Sequence, residues 1–365
     1  MKNNLIHWWE LPKTTHIYLS KDFLLKLRNK RLKLNYPQPK LAKLISVKEA
    51  TIRKWELNQR HPDINNLLKL LKQLKIPKES IYKNIQSIRG EGKSKKIINP
   101  PLPYNEKPEH IQIIAHGFFD GTLEHATDKW IGSLLYQSSD KTEQEIFKNL
   151  IVKCKFGIFT PSKNKKNQYS VPAILTQLLM NHYKIYSFNS KKSKFTNCIL
   201  NKNKKYKEGI LKAAYIDEGS IGKKRIRDNL TIFSSINPKL IEQISKILKL
   251  LEYEFFINPN KTATSIILYA RSLQKFYKDI ILSLPKGYYK KVNAVILLKR
   301  QKREKNIKKQ LKEIEKIIKK QNKIKIIEVQ RLFNLYESSA RRRIERLIRE
   351  GIIIKNGRGN YEINQ

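Results

Sequence analysis

The stretches Ile113-Ile-Ala-His-Gly-Phe-Phe-Asp120-Gly121 and Leu211-Lys-Ala-Ala-Tyr-Ile-Asp-Glu218-Gly219 decide the fold of this 365-residue chain. Each is an apolar, small-residue run that ends in a carboxylate and then glycine. A polar and an apolar residue follow, Thr122-Leu123 and Ser220-Ile221. The acids stand 98 positions apart (218 − 120), room for one supersecondary unit each. Two helices approach closely only where their facing residues are small, which is the reading given to Ala115, Gly121, Ala213, Ala214 and Gly219. A glycine after the acid predicts a left-handed helix cap. Asp120 and Glu218 would then sit at helix C-termini, where the macrodipole disfavours negative charge by up to about 1 kcal/mol. Two carboxylates brought together there also repel. A divalent cation relieves both costs, and hard oxygen donors with few protein ligands suit Mg²⁺.

Composition sets the partner class. Lys and Arg number 76 against 31 Asp and Glu, a net charge of +45, which favours a polyanion and hence nucleic acid. The longest apolar runs, such as Ala294-Val-Ile-Leu-Leu298, are far below the ~20 residues of a membrane span. Glu10, Pro12 and Lys13 interrupt the N-terminus, so no signal peptide is read there. Cys154 and Cys198 form neither a disulfide framework nor a zinc pattern. A cytoplasmic, nucleoid-associated protein with no membrane partner is expected.

Upstream of the first acid, residues 21–88 carry helical periodicity. Leu24, Leu25, Leu27 and Leu32 form one stripe, Leu41, Ala42, Leu44 and Ile45 the next, and Ile52 with Trp55 a third. Ser46 with Glu49 reads as a capping box opening a helix over 48–56, and Asp63 as the cap of another. The succession Leu41-Ala42, Ser46-Val47, Thr51-Ile52, Trp55-Glu56 and Pro62 resembles the Cro/repressor-type helix-turn-helix. That resemblance implies that residues 48–56 enter the major groove, with Lys48, Glu49, Thr51 and Arg53 reaching bases or phosphates. No glycine occupies the turn. Glycine, lysine and proline in 89–105 mark a linker.

Residues 106–284 repeat a coarse pattern in halves of about 106–200 and 205–284. In the second half, residues 229–235 alternate as a strand and 238–250 carry a helical stripe. Strands at 253–257 and 265–269 follow, then a closing helix. The first half predicts strands at 156–159 and 169–171, a helix over 172–182 and a strand at 183–187. Both acid-ending runs resemble the LAGLIDADG motif of homing endonucleases, with Asp120 and Glu218 on its acidic position. The resemblance implies an α+β fold of pseudo-two-fold αββαββα repeats. Two motif helices would pack centrally, antiparallel sheets would form a DNA saddle, and all-α helix-turn-helix and winged-helix domains would flank them. It also implies hydrolysis of both strands of double-stranded DNA with Mg²⁺ held by Asp120 and Glu218, in a monomer with an internal pseudo-dimer core. Some relatives, including bacterial transcription regulators, keep the fold and have lost cleavage. The sequence departs from the pattern at His116 and Gly117 within the first motif and uses glutamate in the second. Lys191, Lys192 and Arg271 lie where the family places basic helpers, and basic loops at 163–166, 202–207 and 223–227 suit phosphates.

Residues 285–310 read as a basic linker and helix, and 311–365 as a further domain. A basic helix over 300–320, a helix over 338–350 and a hairpin turn at 355–359 look like a winged helix. Arg341, Arg342, Arg343 and Arg346 would lie on its recognition helix and Arg358 on its wing. An acid-glycine helix end is common in any protein, and arginine-rich helices are often merely solvated. Two copies of the motif, set between DNA-binding patterns, favour the nuclease-like reading.

Overall fold

The computed structural model describes residues 5–90, 94–123, 132–155, 157, 168–186, 188, 192–221, 230–357 and 360–364. The chain divides into two compact units, Met1–Lys290 and Lys291–Gln365. Helix and sheet are mixed throughout. Among the described residues no helix is long and apolar enough to cross a membrane.

The first unit opens with β1 (Leu5–Ile6) and β2 (His16–Leu19), then α1 (Lys21–Lys33), α2 (Gln38–Ile45), α3 (Glu49–Glu56) and α4 (Ile64–Gln73). The strands β3 (Ile85–Arg89), β4 (Lys96–Ile98) and β5 (Tyr104–Asn105) follow. Ser20 and Asp63 cap α1 and α4 by accepting from the backbone N–H of Phe23 and Asn66. The four helices lie where the periodicity places them, because Leu24, Leu27, Leu41, Ile45, Ile52, Trp55, Leu67 and Leu71 all turn into one core, although Leu25, Leu32 and Leu44 of the expected stripes are exposed. Glu56 accepts from Arg31 Nε at 2.7 Å and from Gln38 Nε2 at 2.6 Å, while Arg31 also donates to Tyr36 O. This buried ion pair ties α1, α2 and α3 together.

Two expectations fail in this region. Ser46 does not open α3: it ends α2 in the left-handed conformation, φ 61°, and Lys48 is the N-cap of α3 without a side-chain bond. Residues 89–105 are not a free linker. Strand β4 joins the antiparallel sheet β2-β3-β4, with Ile88 opposite Ile97, and β5 pairs with β1. Residues 21–84, read as the helix-turn-helix, hold helices only, and the strands flank them on either side. Burial of Ile17, Leu19, Ile88 and Ile97 outweighs the local turn signals, and these strands are too short to show an alternation over a useful window.

The next elements are α5 (Pro108–Phe119), β6 (Gly121–Leu123), β7 (Leu134–Gln137), α6 (Lys141–Lys153), β8 (Gln168–Val171), α7 (Ala173–Tyr183) and α8 (Asn197–Leu200). Then come α9 (Lys204–Glu218), β9 (Ser220–Ile221), β10 (Leu230–Ser235), α10 (Pro238–Leu250), β11 (Phe255–Pro259), β12 (Thr264–Leu268) and α11 (Ala270–Asp279). Helices α5 and α9 pack on each other along their length. The first of the two sheets has the order β6-β7-β8 and the second β11-β12-β10-β9, all antiparallel. In the second half the predicted strands and helices stand within two residues of expectation.

Three readings change. Residues 183–186 are not a strand: Tyr183 is the buried last residue of α7, and Lys184 closes that helix with φ 55°, while residue 187 lies outside the described residues. The 202–207 stretch is not a sheet loop, because its residues 204–207 are the first turn of α9. The basic loops at 163–166 and 223–227, and the 156–159 strand apart from Gly157, lie outside the described residues.

The second unit holds most of α12 (Tyr289–Gln321), then β13 (Ile324–Lys325), α13 (Ile326–Phe333), α14 (Glu337–Arg349), β14 (Ile353–Lys355) and β15 (Asn360–Ile363). Its sheet has the order β13-β15-β14. Its core is built from Leu311, Ile314, Ile318, Val329, Ile344 and Leu347, together with Ile324, Ala340, Ile353 and Tyr361. The i, i+3, i+4 spacing along α12 and α14 brings these side chains to one side of each helix.

A left-handed serine carries a steric cost that glycine lacks. Ser46→Gly is expected to raise the stability of the helices spanning 21–73 by about 0.5–1 kcal/mol. The check is the denaturant midpoint of that transition, read at unchanged slope.

Candidate functional site

Helix α5 is buried from His110 through Phe119 because it is apolar nearly all round and enclosed by its neighbours. Close approach to α9 is made at Gly209, where a Cβ would lie 3.2 Å from Pro108 O and 3.6 Å from Gln112 Cβ. Ala115, Ala213 and Ala214 are fully buried, as small facing residues should be. Gly121 and Gly219 act otherwise than expected. Neither has positive φ, and Gly219 is extended at φ −68°, ψ 140°. A Cβ on Gly121 would stand 2.4 Å from Gly117 Cα, and one on Gly219 2.3 Å from Tyr215 O. Each glycine lets the chain double back against the last turn of its own helix and enter a strand. Gly117, within the helix, leaves room for Phe188 and Leu134.

That doubling back sets both acids at helix ends. Asp120 is the C-cap of α5 and Glu218 the last residue of α9. Asp120 is exposed by surface area, and Glu218 is half-buried. Burial and the charge of Asp217 push its carboxyl up to about 6, against His116 and Lys290, which pull it down. Burial, then Asp120 and Asp217, push Glu218 up to about 7, with Lys290 opposing. Among the described residues no hydrogen bond or salt bridge engages either carboxylate. Glu218 also borders a cleft of about 220 Å³ lined by Phe118, Phe119, Phe233, Ser234, Ser235, Ile236 and Ala263.

Beneath the pair lies a polar network that sequence reading missed. His116 of α5 donates from Nδ1 to both Asp217 oxygens at 2.9 Å, and the Tyr136 hydroxyl donates to Asp217 Oδ1 at 2.8 Å. Both side chains of the His116–Asp217 pair are fully buried. Burial raises the Asp217 carboxyl, and His116 and Tyr136 hold it down. The His116 ring meets Tyr136 and Phe147 edge-on at 5.1 and 5.6 Å. Glu143 of α6 accepts from Ser138 Oγ and Tyr288 Oη, each at 2.6 Å, and lies 3.3 Å from Lys290 Nζ. Lys290 in turn donates to Ile216 O, and to Asp217 O at 3.5 Å. No sequence signal marked Tyr288 or Lys290, which lie in a stretch read as a boundary. Asp217 was visible only as an acid beside Glu218.

The donor set fits Mg²⁺ in one respect. Two hard carboxylates, each raised by crowding, gain from a shared cation, and Mg²⁺ is commonly bound through one or two carboxylates plus phosphate and water. Among the described residues no group of three or more His, Cys, Asp or Glu is placed to cage a metal. Among the described residues, neither Arg271 nor Lys192 bonds to Asp120 or Glu218. Arg271 pairs with Glu254 on the surface, Lys192 is exposed, and Lys191 lies outside the described residues.

Of the residues expected to meet DNA, Lys48 at the N-cap of α3 and Glu49 and Arg53 on it are exposed and Thr51 is half-buried, while Ile52 and Trp55 face the core. On α14, Arg341 and Arg342 are exposed, and Arg341 pairs with Glu337 at 2.8 Å. Arg343 instead donates to Gln310 Oε1 at 2.6 Å and Arg346 to Glu304 Oε1 at 2.8 Å, both on α12. Arg358 lies outside the described residues.

Raised carboxyl pKa values favour the fold while the acids are protonated. That contribution is present below about pH 4 and is lost as pH rises through about 6 to 7. The metal-free protein should therefore gain thermal stability at pH 8 from Asp120→Asn or Glu218→Gln, gain less at pH 5, and gain little below about pH 4. Added Mg²⁺ should raise the wild-type melting temperature at pH 8 but not at pH 5, and either substitution should shrink that rise. Thermal melts at the two pH values check both.

Residues 27–81 match the helix-turn-helix family, so the chain carries a helix-turn-helix of the Cro/repressor type, which indicates DNA binding. No curated protein matches the chain. Similar solved structures include the N-terminal LAGLIDADG domain of WhiA, at 14% identity over 53% of this chain and 90% of that one, TM-score 0.33. Full-length WhiA from Thermatoga maritima is 11% identical over 68% of this chain and 93% of that one, TM-score 0.35. The homing endonuclease I-WcaI, solved bound to its DNA recognition sequence, is 17% identical over 51% of this chain and 86% of that one, TM-score 0.37.

Proposed function

We propose that this chain is a site-specific double-stranded DNA-binding protein whose residues 106–284 form a LAGLIDADG-like core with pseudo-two-fold symmetry. In this reading Asp120 and Glu218 hold Mg²⁺ and the protein hydrolyses phosphodiester bonds in both strands. The carrying observation is the acid pair: two carboxylates at the ends of two packed helices, raised by burial and by neighbouring acids, with no hydrogen bond or salt bridge among the described residues. Bound there, the cation would supply an activated water and offset charge on the leaving oxygen.

The protein's own groups divide the remaining work. Asp120 and Glu218 supply oxygen donors from two different helices, and the His116–Asp217 bond fixes the register of those helices next to the acids. Lys48, Glu49, Thr51 and Arg53 read bases or phosphates from α3. Residues 311–365 act as a winged helix, with Arg341 and Arg342 on the outward face of α14 and Arg358 on the wing. Arg343 and Arg346 serve it by fastening α14 to α12. The core acts as an internal pseudo-dimer within a monomer. A second reading, a transcription regulator that grips DNA without cutting it, is favoured by DNA-reading modules at both ends.

Selection of bound duplexes from a random library supplies the target. With Mg²⁺ the wild type should cut it, and Asp120→Ala with Glu218→Ala should abolish cutting while affinity stays within about twofold. Tight, selective binding with no cleavage by the wild type decides for the regulator. Lys48→Ala with Arg53→Ala should weaken target binding by about 10–100-fold and lower the salt slope by roughly one per lost phosphate contact.

A further inference from the structure

Lys290 is 6% exposed, among the most buried charged residues of the first unit. A buried ammonium is strongly unfavourable unless its donors are used. Here one N–H faces Glu143 Oε1 at 3.3 Å, and the ammonium also donates to Ile216 O and, at 3.5 Å, to Asp217 O. The segment is anchored at two further points. The Tyr215 hydroxyl donates to Lys290 O at 2.9 Å, and the Tyr288 hydroxyl donates to Glu143 at 2.6 Å. Residues 288–290 are thus bound to both α6 and α9.

The carbonyls of Ile216 and Asp217 belong to the last turn of α9, where carbonyls lack intrahelical partners and a cation is favourable. Glu218 is the next residue. The ammonium therefore grips the backbone from which Glu218 projects, and its charge opposes the crowding of like charges at both acids.

We propose that Lys290 is a positioning residue of the acid pair, holding the last turn of α9 so that Glu218 is presented beside Asp120. The proposal rests on the reading that this pair binds a divalent cation. Residues 288–290, beyond the core boundary at 284, then belong to the site.

The test compares Lys290→Met, Lys290→Gln and Lys290→Arg in the full chain by two readouts. Amide hydrogen exchange is measured without metal, and Mn²⁺ binding is measured by electron paramagnetic resonance without DNA. Lys290→Met should speed exchange at residues 216–219 by about tenfold or more, with residues 111–119 at the wild-type rate. It should also weaken Mn²⁺ binding by about 10–100-fold, the usual cost of losing a residue that orients a metal ligand. Lys290→Arg, which keeps charge and donors, should recover much of both. Should the methionine variant fail to fold, the glutamine variant keeps two N–H donors but no charge, and should still lose Mn²⁺ affinity. Wild-type exchange and Mn²⁺ affinity in the neutral variants overturn the proposal. If the wild type itself binds no Mn²⁺, the metal reading falls, and exchange at 216–219 alone decides for or against Lys290.

Discussion

The bond between His116 and Asp217 is the constraint on which the first unit's acid site depends. It crosses from α5 to α9 in full burial, one turn back from Asp120 and one residue before Glu218. Small residues let the two helices approach, but small residues alone permit sliding. A bidentate polar contact does not, because any shift strands a buried carboxylate without donors. Tyr136 adds a second donor and Phe147 walls the ring, so α5, β7, α6 and α9 agree on one register.

Electrostatics then works outward from that bond. Asp217 is satisfied within the protein and adds negative charge to its surroundings. Asp120 and Glu218 feel that charge and, among the described residues, have no hydrogen-bond donor to answer it. The result is an inner acid that organises and two outer acids left poised for a cation. Three acids close together in space thus divide by burial and partners into two kinds, which their spacing in the chain does not reveal.

Much of this was legible in the sequence and some was not. Long periodic helices such as α10, and the two acid-ending runs, declared themselves through spacing. Asp120 and Glu218 stand at helix ends as read. The glycines after them were picked out but given the wrong geometry, since a left-handed cap and a backbone folded against its own last turn look alike in sequence. Strands of two to five residues, such as β1, β4 and β5, lacked the length to show a period. Pairing across long separations, as in Arg31 with Glu56 or Glu143 with Tyr288, leaves no local pattern at all. The four arginines of α14 were read as one class, but helical geometry sends Arg343 and Arg346 back onto α12 while Arg341 and Arg342 face outward.

The seat of Tyr288 and Lys290 also bears on where this protein can be divided. A chain severed at residue 284 would look complete by element count, with both sheets and α11 intact. Glu143 would nevertheless remain buried with Ser138 as its one remaining partner among those described, and the last carbonyls of α9 would lose their cation. During synthesis the same holds in time. Until residue 290 has left the ribosome the acid pair lacks one of its supports, so a nascent chain can hold a folded core before it holds a finished site.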